Sequence, residues 1–233
     1  HLLRNSFLLS GIGAILVVAA AVMLAYAIRL HPTPATKFAA RVASAGYAVP
    51  GAVLAIGVIL PLATVDHALA SWAKEQFGVK LGLLFTGSLI AVLYAYLTRF
   101  LTISFNAVEA SLGKITYSMD FAARSLGRSP GATLLQVHLP IMRGTLLTAA
   151  ILVFVDVLKE LPATLILRPF NFDTLATKTY DLASDERLAE AAGPALAIGL
   201  VGILPVYLLS RAIRSARPGS DRPGAVPMGE EQP

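Results

Sequence analysis

The sequence predicts an all-α membrane protein, a bundle of about five spanning helices, and three observations lead to that class. The 233 residues are 56% hydrophobic and only 14% charged, with a mean hydropathy of +0.69, values typical of lipid-embedded chains and not of soluble domains. Five apolar runs each approach the roughly 20 residues a helix needs to cross a hydrocarbon core of about 30 Å. The basic residues fall in the gaps between those runs, more on one side than on the other.

In order, the runs are Phe7 to Leu30, Ser44 to Val65, Leu81 to Leu101, Thr145 to Leu167 and Ala192 to Ile213. Each reads as helix, because backbone in lipid must satisfy its own hydrogen bonds and none of the runs alternates like a barrel strand. The first is too long for a secretory leader and lacks a small-residue cleavage site. The second carries Gly46, Pro50, Gly51, Gly57 and Pro61. Small residues allow close helix contact and neighbours can re-satisfy a proline kink, so a compact bundle is expected. The fourth contains Asp156, Lys159 and Glu160, ionisable groups that mark either a pathway or a paired structural site within a span. Asp156 and Glu160, four apart on one helical face, are candidate translocation-path residues whose oxygens suit a hard cation. The structural alternative, which the residues favour, pairs Lys159 with an acid and breaks the helix at Pro162. Residues 216–233 are Pro/Gly-rich and polar, predicting a disordered tail after a membrane domain over 1–215.

Composition excludes several kinds of chemistry. There is no Cys, hence no thiolate catalysis or thiolate metal site, and the four His form no ligand-like pair. Lys and Arg are not interleaved with aromatics, which argues against nucleic acid. No Gly-rich loop ends in Gly-Lys-Ser/Thr, so a nucleotide would have to be bound elsewhere. Paired-Asp metal motifs, His/Glu clusters and nucleophile elbows are also missing, which argues against an integral-membrane enzyme. No catalytic or metal-binding residue is expected.

Assigning the gaps alternately to two sides puts twelve basic residues against Glu109, Asp120, Asp221, Glu230 and Glu231 on one side, and seven against nine acidic residues on the other. The basic side is expected to be cytoplasmic, with the N-terminus outside.

The longest cytoplasmic gap contains "SMDFAARSLGRSPGATLLQVHLP", Ser118 to Pro140. Ser118 can cap a helix, with Asp120 in its first turn and Arg124 four residues on. Met119, Ala122, Ala123 and Leu126 then form a narrow apolar stripe, with Phe121 opposite and exposed unless a partner covers it. Gly127 suits a left-handed C-terminal cap, and Ser129-Pro130 a new N-terminus. The second helix has its own stripe of Leu134, Val137, His138 and Ile141 and ends near Pro140. Two short amphipathic helices at a tight turn suit a groove on a cytoplasmic partner, although a pair lying on the bilayer has the same amphipathicity.

The spacing Ala122-Ala123, three residues, Gly127, nine residues, Val137-His138-Leu139-Pro140 resembles the EAA motif of ABC importer permeases, Glu-Ala-Ala, x3, Gly, x9, Ile-x-Leu-Pro. The resemblance implies the bundle of the type I importers. It also implies that Asp120, Phe121, Ala122, Ala123, Gly127, Val137, Leu139 and Pro140 belong to a loop coupled to a separate ATP-binding subunit dimer, which would hold ATP and Mg. Phe121 stands where the motif has Glu, and Tyr117 where relatives usually have Pro.

The blocks "SFNAVEASLGKI", "VFVDVLKELPATLILRPFNFDTLATKTYDLASDERLAEAA" and "GYAVPGAVLAIG" are similar to the C-terminal half of ferric-iron permeases that work with a periplasmic binding protein. The implied partners are that receptor, a second permease half or subunit, and membrane lipid, in a bacterial inner membrane. The implied chain is one half of a longer permease, without its first span. Arg168 to Glu190 is then either a receptor contact or a solvated acidic loop. Alternatives within the same fold are permeases for thiamine, phosphonate, polyamine or oxyanion, and outside it a scaffold that only recruits the ATPase.

Overall fold

The computed structural model describes residues 1–215, which form a helical bundle. Nine helices are described: α1 (Leu2–Leu30), α2 (Pro34–Ala43), α3 (Gly51–Phe77), α4 (Leu89–Gly113), α5 (Tyr117–Ser125), α6 (Pro130–Leu158), α7 (Pro162–Leu167), α8 (Leu175–Ser184) and α9 (Leu188–Ser215). Four of them, α1, α3, α4 and α6, are long and apolar enough to cross a membrane, and the fifth predicted run lies on α9, whose apolar part described here is Leu188–Ile203. The predicted tail, 216–233, lies outside the described residues.

Three runs start elsewhere, each for a local reason, and they also end elsewhere, at Phe77, Gly113 and Leu158 instead of Val65, Leu101 and Leu167. The second span starts at Gly51 and not at Ser44, because Ser44 caps α2 and Pro50 precedes the first helical turn. The third is displaced to Leu89–Gly113: the buried Asp66 carboxylate accepts the backbone N–H groups of Leu84 (2.9 Å), Phe85 (3.0 Å) and Thr86 (2.7 Å), which ties residues 78–88 to α3 as loop. Ser88 then caps α4. The fourth is moved back by 15 residues at its start and continues straight out of the loop as α6.

The bundle centre is α1 packed on α4 and α6. Ala14, Val17, Ala55, Ala91, Val92, Ala95, Tyr96 and Val153 fill the middle, and Ala21, Ala25, Tyr26, Phe105, Val108 and Met142 fill the end nearer the loop. Alanine at the contacts lets helices approach closely, the main route to tight packing where lipid removes the hydrophobic drive. The glycines of the second run divide sharply. A Cβ on Gly46 would collide with the Thr98 carbonyl, whereas one on Gly57 meets nothing within 4 Å. We expect Gly46→Ala to cost about 1–3 kcal/mol, since backbone cannot step aside cheaply, and Gly57→Ala to stay within about 0.5 kcal/mol. Thermal melts of the solubilised protein should separate the two.

Arg29 at the C-terminal end of α1 meets α5, while Asn5 and Ser6 at its other end bond to the Asp173 carbonyl and the Leu175 N–H. The two sets of gaps therefore sit at opposite ends of the bundle.

Candidate functional site

The loop end is built from α5, a turn and the start of α6. Thr116, not Ser118, occupies the N-cap of α5. The turn follows the glycine expectation: Gly127 has φ +76°, its N–H donates to the Arg124 carbonyl (2.9 Å), and the Arg128 N–H donates to Ala123 (3.0 Å). That pair of bonds satisfies carbonyls the helix end leaves open, and a left-handed residue is needed to make both. Ser129 Oγ accepts the Ala132 N–H at 3.3 Å, with Pro130 in the first turn.

Pro140 does not end the second helix, contrary to the sequence reading. The helix runs unbroken from Pro130 to Leu158, with a π turn over Leu134–His138 in which the Leu139 N–H reaches back to Leu134. Proline has no N–H to offer the carbonyl four residues earlier, and the wider turn accommodates it without breaking the rod. The start of the loop's second helix is thus mechanically continuous with a membrane span.

The buried face of α5 also differs from the expected stripe. Asp120 and Ala123 are buried, while Met119, Ala122 and Leu126 are exposed, Leu126 by 81%. Asp120 does not pair with Arg124. Its Oδ2 takes Arg29 Nη2 at 2.5 Å and Nε at 3.1 Å, and its Oδ1 lies 2.8 Å from His138 Nε2. Arg29 also donates to the carbonyls of Leu112 (2.7 Å) and Ile115 (2.8 Å) just at and beyond the end of α4, and Tyr117 lies over its guanidinium at 4.5 Å. Tyr26 packs against the His138 ring and donates its hydroxyl to the Pro130 carbonyl at 2.7 Å. One carboxylate therefore joins α1, α5 and α6, and the Arg29 it holds ties them to the end of α4. Burial pushes the Asp120 carboxyl up, but the Arg29 hydrogen bonds and His138 outweigh it, so its pKa lies below the ordinary carboxylate value. His138 was read from the sequence only as a stripe residue.

With Asp120 engaged inside, the outward surface of the loop carries large apolar side chains among exposed polar and basic ones such as Ser118, Arg124 and Arg128. Tyr117, Met119, Phe121, Leu126 and Leu135 are all exposed, Phe121 by 63%. Of the motif's later residues, Val137 and Leu139 are half-buried and Pro140 is exposed.

Asp156 and Glu160 do not share a face, because α6 ends at Leu158. Asp156 pairs with the largely exposed Lys159 at 2.8 Å. Glu160 is buried, accepts the Ala163 N–H at 3.1 Å in the first turn of α7, and lies 3.4 Å from Arg99 Nε. Arg99 in turn donates to the Val49 carbonyl in the break before α3. This region joins two stretches of non-helical backbone. We expect Asp156→Asn to change stability by no more than about 1 kcal/mol, as for exposed pairs, and Glu160→Ala to reduce it more, because Arg99 is left without its counter-charge. Thermal melts of the two variants measure the difference.

At the opposite end Arg168 binds Asp173 and Asp181, so part of the acidic segment is ion-paired rather than solvated. Among the described residues no group of three or more His, Asp or Glu is placed to hold a metal ion.

The fold is that of the ABC importer permeases. It matches a bacterial ABC transporter that imports the acidic polysaccharide alginate with a TM-score of 0.69 at 14% identity, over 92% of this chain and 78% of that one. It matches the MetNI methionine ABC transporter in an inward-facing conformation with a TM-score of 0.63 at 13% identity, over 92% and 94%. In sequence, the chain is similar to the Fe(3+)-transport system permease protein FbpB 2 of Haemophilus influenzae, 28% identical over 89% of this chain and 38% of that protein. It is also similar to a putative 2-aminoethylphosphonate transport system permease protein, PhnV, of Salmonella typhimurium, 30% identical over 53% and 46%. The chain spans less than half the length of either relative. No family model matches it.

Proposed function

We propose that this chain is a membrane-spanning permease unit of a bacterial ATP-driven importer, that its cargo is ferric iron delivered by a periplasmic binding protein, and that it drives no chemistry itself. The observation that carries the coupling role is the loop's construction: an exposed apolar surface of Tyr117, Met119, Phe121, Leu126 and Leu135 mounted on helices braced to three spans. An apolar patch on an otherwise polar protrusion suits a groove on another protein. A separate ATPase dimer, holding ATP and Mg, would seat there, and movement of its groove would turn α6 as a rod and swing the bundle between inward-open and outward-open states. Phe121 replaces the motif carboxylate and Asp120 is turned inward, so docking at this loop rests on apolar packing and shape. In this reading the loop end is cytoplasmic, Arg168 to Glu190 faces the receptor, Glu160 borders the translocation path, and residues 1–215 act as one permease domain beside a second half or subunit.

The ferric-iron relative covers most of this chain, which supports iron; the aminoethylphosphonate relative supports a phosphonate as the second reading. Reconstitution of the full permease with its ATPase in vesicles decides between them. Iron-loaded receptor should stimulate both uptake and ATP hydrolysis. Stimulation by a phosphonate receptor and none by the iron receptor would overturn the iron assignment and leave the permease assignment standing.

A further inference from the structure

Two stretches run along the bundle as broken helices, α2 into α3 and α6 into α7, and both breaks lie beside the middle of α4. Proline marks each of them. Pro50 is the N-cap of α3 and Pro162 opens α7, and neither ring brings an N–H that could continue the preceding helix. Backbone groups freed at that depth need partners inside the protein.

Three α4 side chains, spaced three residues apart, serve both breaks. Thr102 donates its hydroxyl to the Ser44 carbonyl. Arg99 Nη1 donates to the Val49 carbonyl at 2.8 Å, and the hydroxyls of Tyr96 and Thr164 lie 2.5 Å apart, fully buried. On the α7 side, Glu160 accepts the Ala163 N–H at 3.1 Å and its own carbonyl accepts Thr164 Oγ1 at 2.9 Å. The breaks meet where Arg99 Nε and Glu160 Oε2 stand 3.4 Å apart. Gly51 makes that approach possible, because a Cβ there would fall 2.9 Å from Glu160 Oε1 and 3.2 Å from both Arg99 Nη1 and Pro162 Cβ. An apolar contact would pack the site at lower cost in desolvation. It would not bond the Val49 carbonyl and the Ala163 N–H while linking the two to each other.

We infer that Arg99 and Glu160 are positioning residues of the transport cycle: their pair fixes the two broken helices to each other, so that α3 and α7 follow as one body when α6 moves. The inference rests on the permease function proposed for the chain and not on the identity of the cargo.

The test uses the full permease with its ATPase in vesicles, any cysteines elsewhere in the complex replaced by serine. This chain contains no Cys, so Val53→Cys on α3 and Ile166→Cys on α7, both exposed, take two spin labels. Their distance distribution should be narrow and the same with and without ATP. Arg99→Gln and Glu160→Gln each leave one buried charge unpaired. Each should broaden the distribution and lower uptake per ATP hydrolysed on the order of tenfold. The double variant carries no charge at the site, and its two amides can bond each other. It should recover the narrow distribution, the melt and most of the uptake per ATP. Single variants as narrow as the parent, or a parent distance that changes with ATP, would overturn the inference. Recovery of the melt without recovery of uptake would overturn it too, since one of the pair would then act on the cargo directly. A parent that takes up nothing with any receptor would instead sink the permease function, and the inference with it.

Discussion

Asp120→Ala is expected to destabilise the permease by about 3–5 kcal/mol, the cost of removing one partner from a buried ion pair and leaving the other uncompensated. Arg29 would keep its bonds to Leu112 and Ile115 but lose its carboxylate partner, and His138 Nε2, fully buried, would lose its own. In a solubilised melt this corresponds to a fall on the order of 10 °C. A fall of only a degree or two would mean that the pair is no brace. Asp120→Asn should be milder, since the amide oxygen can still accept a bond while the charge is lost. Acid should act in the same way. The carboxyl's pKa is lower in the folded protein than in the unfolded chain, so its contribution is complete above the unfolded value of about 3.9 and disappears as pH falls through the lower folded value. The melt of the parent should therefore drop with acid below about pH 4, and that of Asp120→Ala should drop less.

Gly127→Val is expected to leave membrane insertion and folding of the spans intact while separating ATP hydrolysis from uptake. Nothing lies within 4 Å of where the Cβ would be, so no side chain collides. The penalty is in the backbone, where a β-branched residue at φ +76° carries strain of about 1–3 kcal/mol. Relieving that strain opens the turn, shifts α5 on its braces and misplaces Phe121 and Leu126. With coupling free energies usually 1–3 kcal/mol, uptake per ATP hydrolysed should fall on the order of tenfold. Gly127→Asn, which tolerates the left-handed region, should lose much less. Unchanged uptake per ATP in the valine variant would remove the loop from the coupling role.

Much of this was legible from order and spacing. Hydropathy located the spans because apolar length is a property of contiguous residues, and the Gly127 cap and the Ser129-Pro130 start were legible because a turn is written in the residues that make it. Boundaries failed where a distant group intervened: Asp66 holds residues 84–86 as loop and moves the third span by a full turn and more. The α5 stripe was misread for a related reason. Periodicity marks which residues are apolar, and this helix buries a carboxylate and leaves its apolar residues uncovered.

By itself the sequence determined the class of the protein, the ends of the bundle on which each gap lies and the position of the loop, all of them consequences of composition and local spacing. Only the tertiary structure decided the use of its charges. Asp120 meets a residue 91 positions away and another 18 away, and Asp156 and Glu160, four apart, point to different partners. Such pairings follow no period, because they depend on how rigid helices cross, and the low-dielectric interior selects the charges that end face to face.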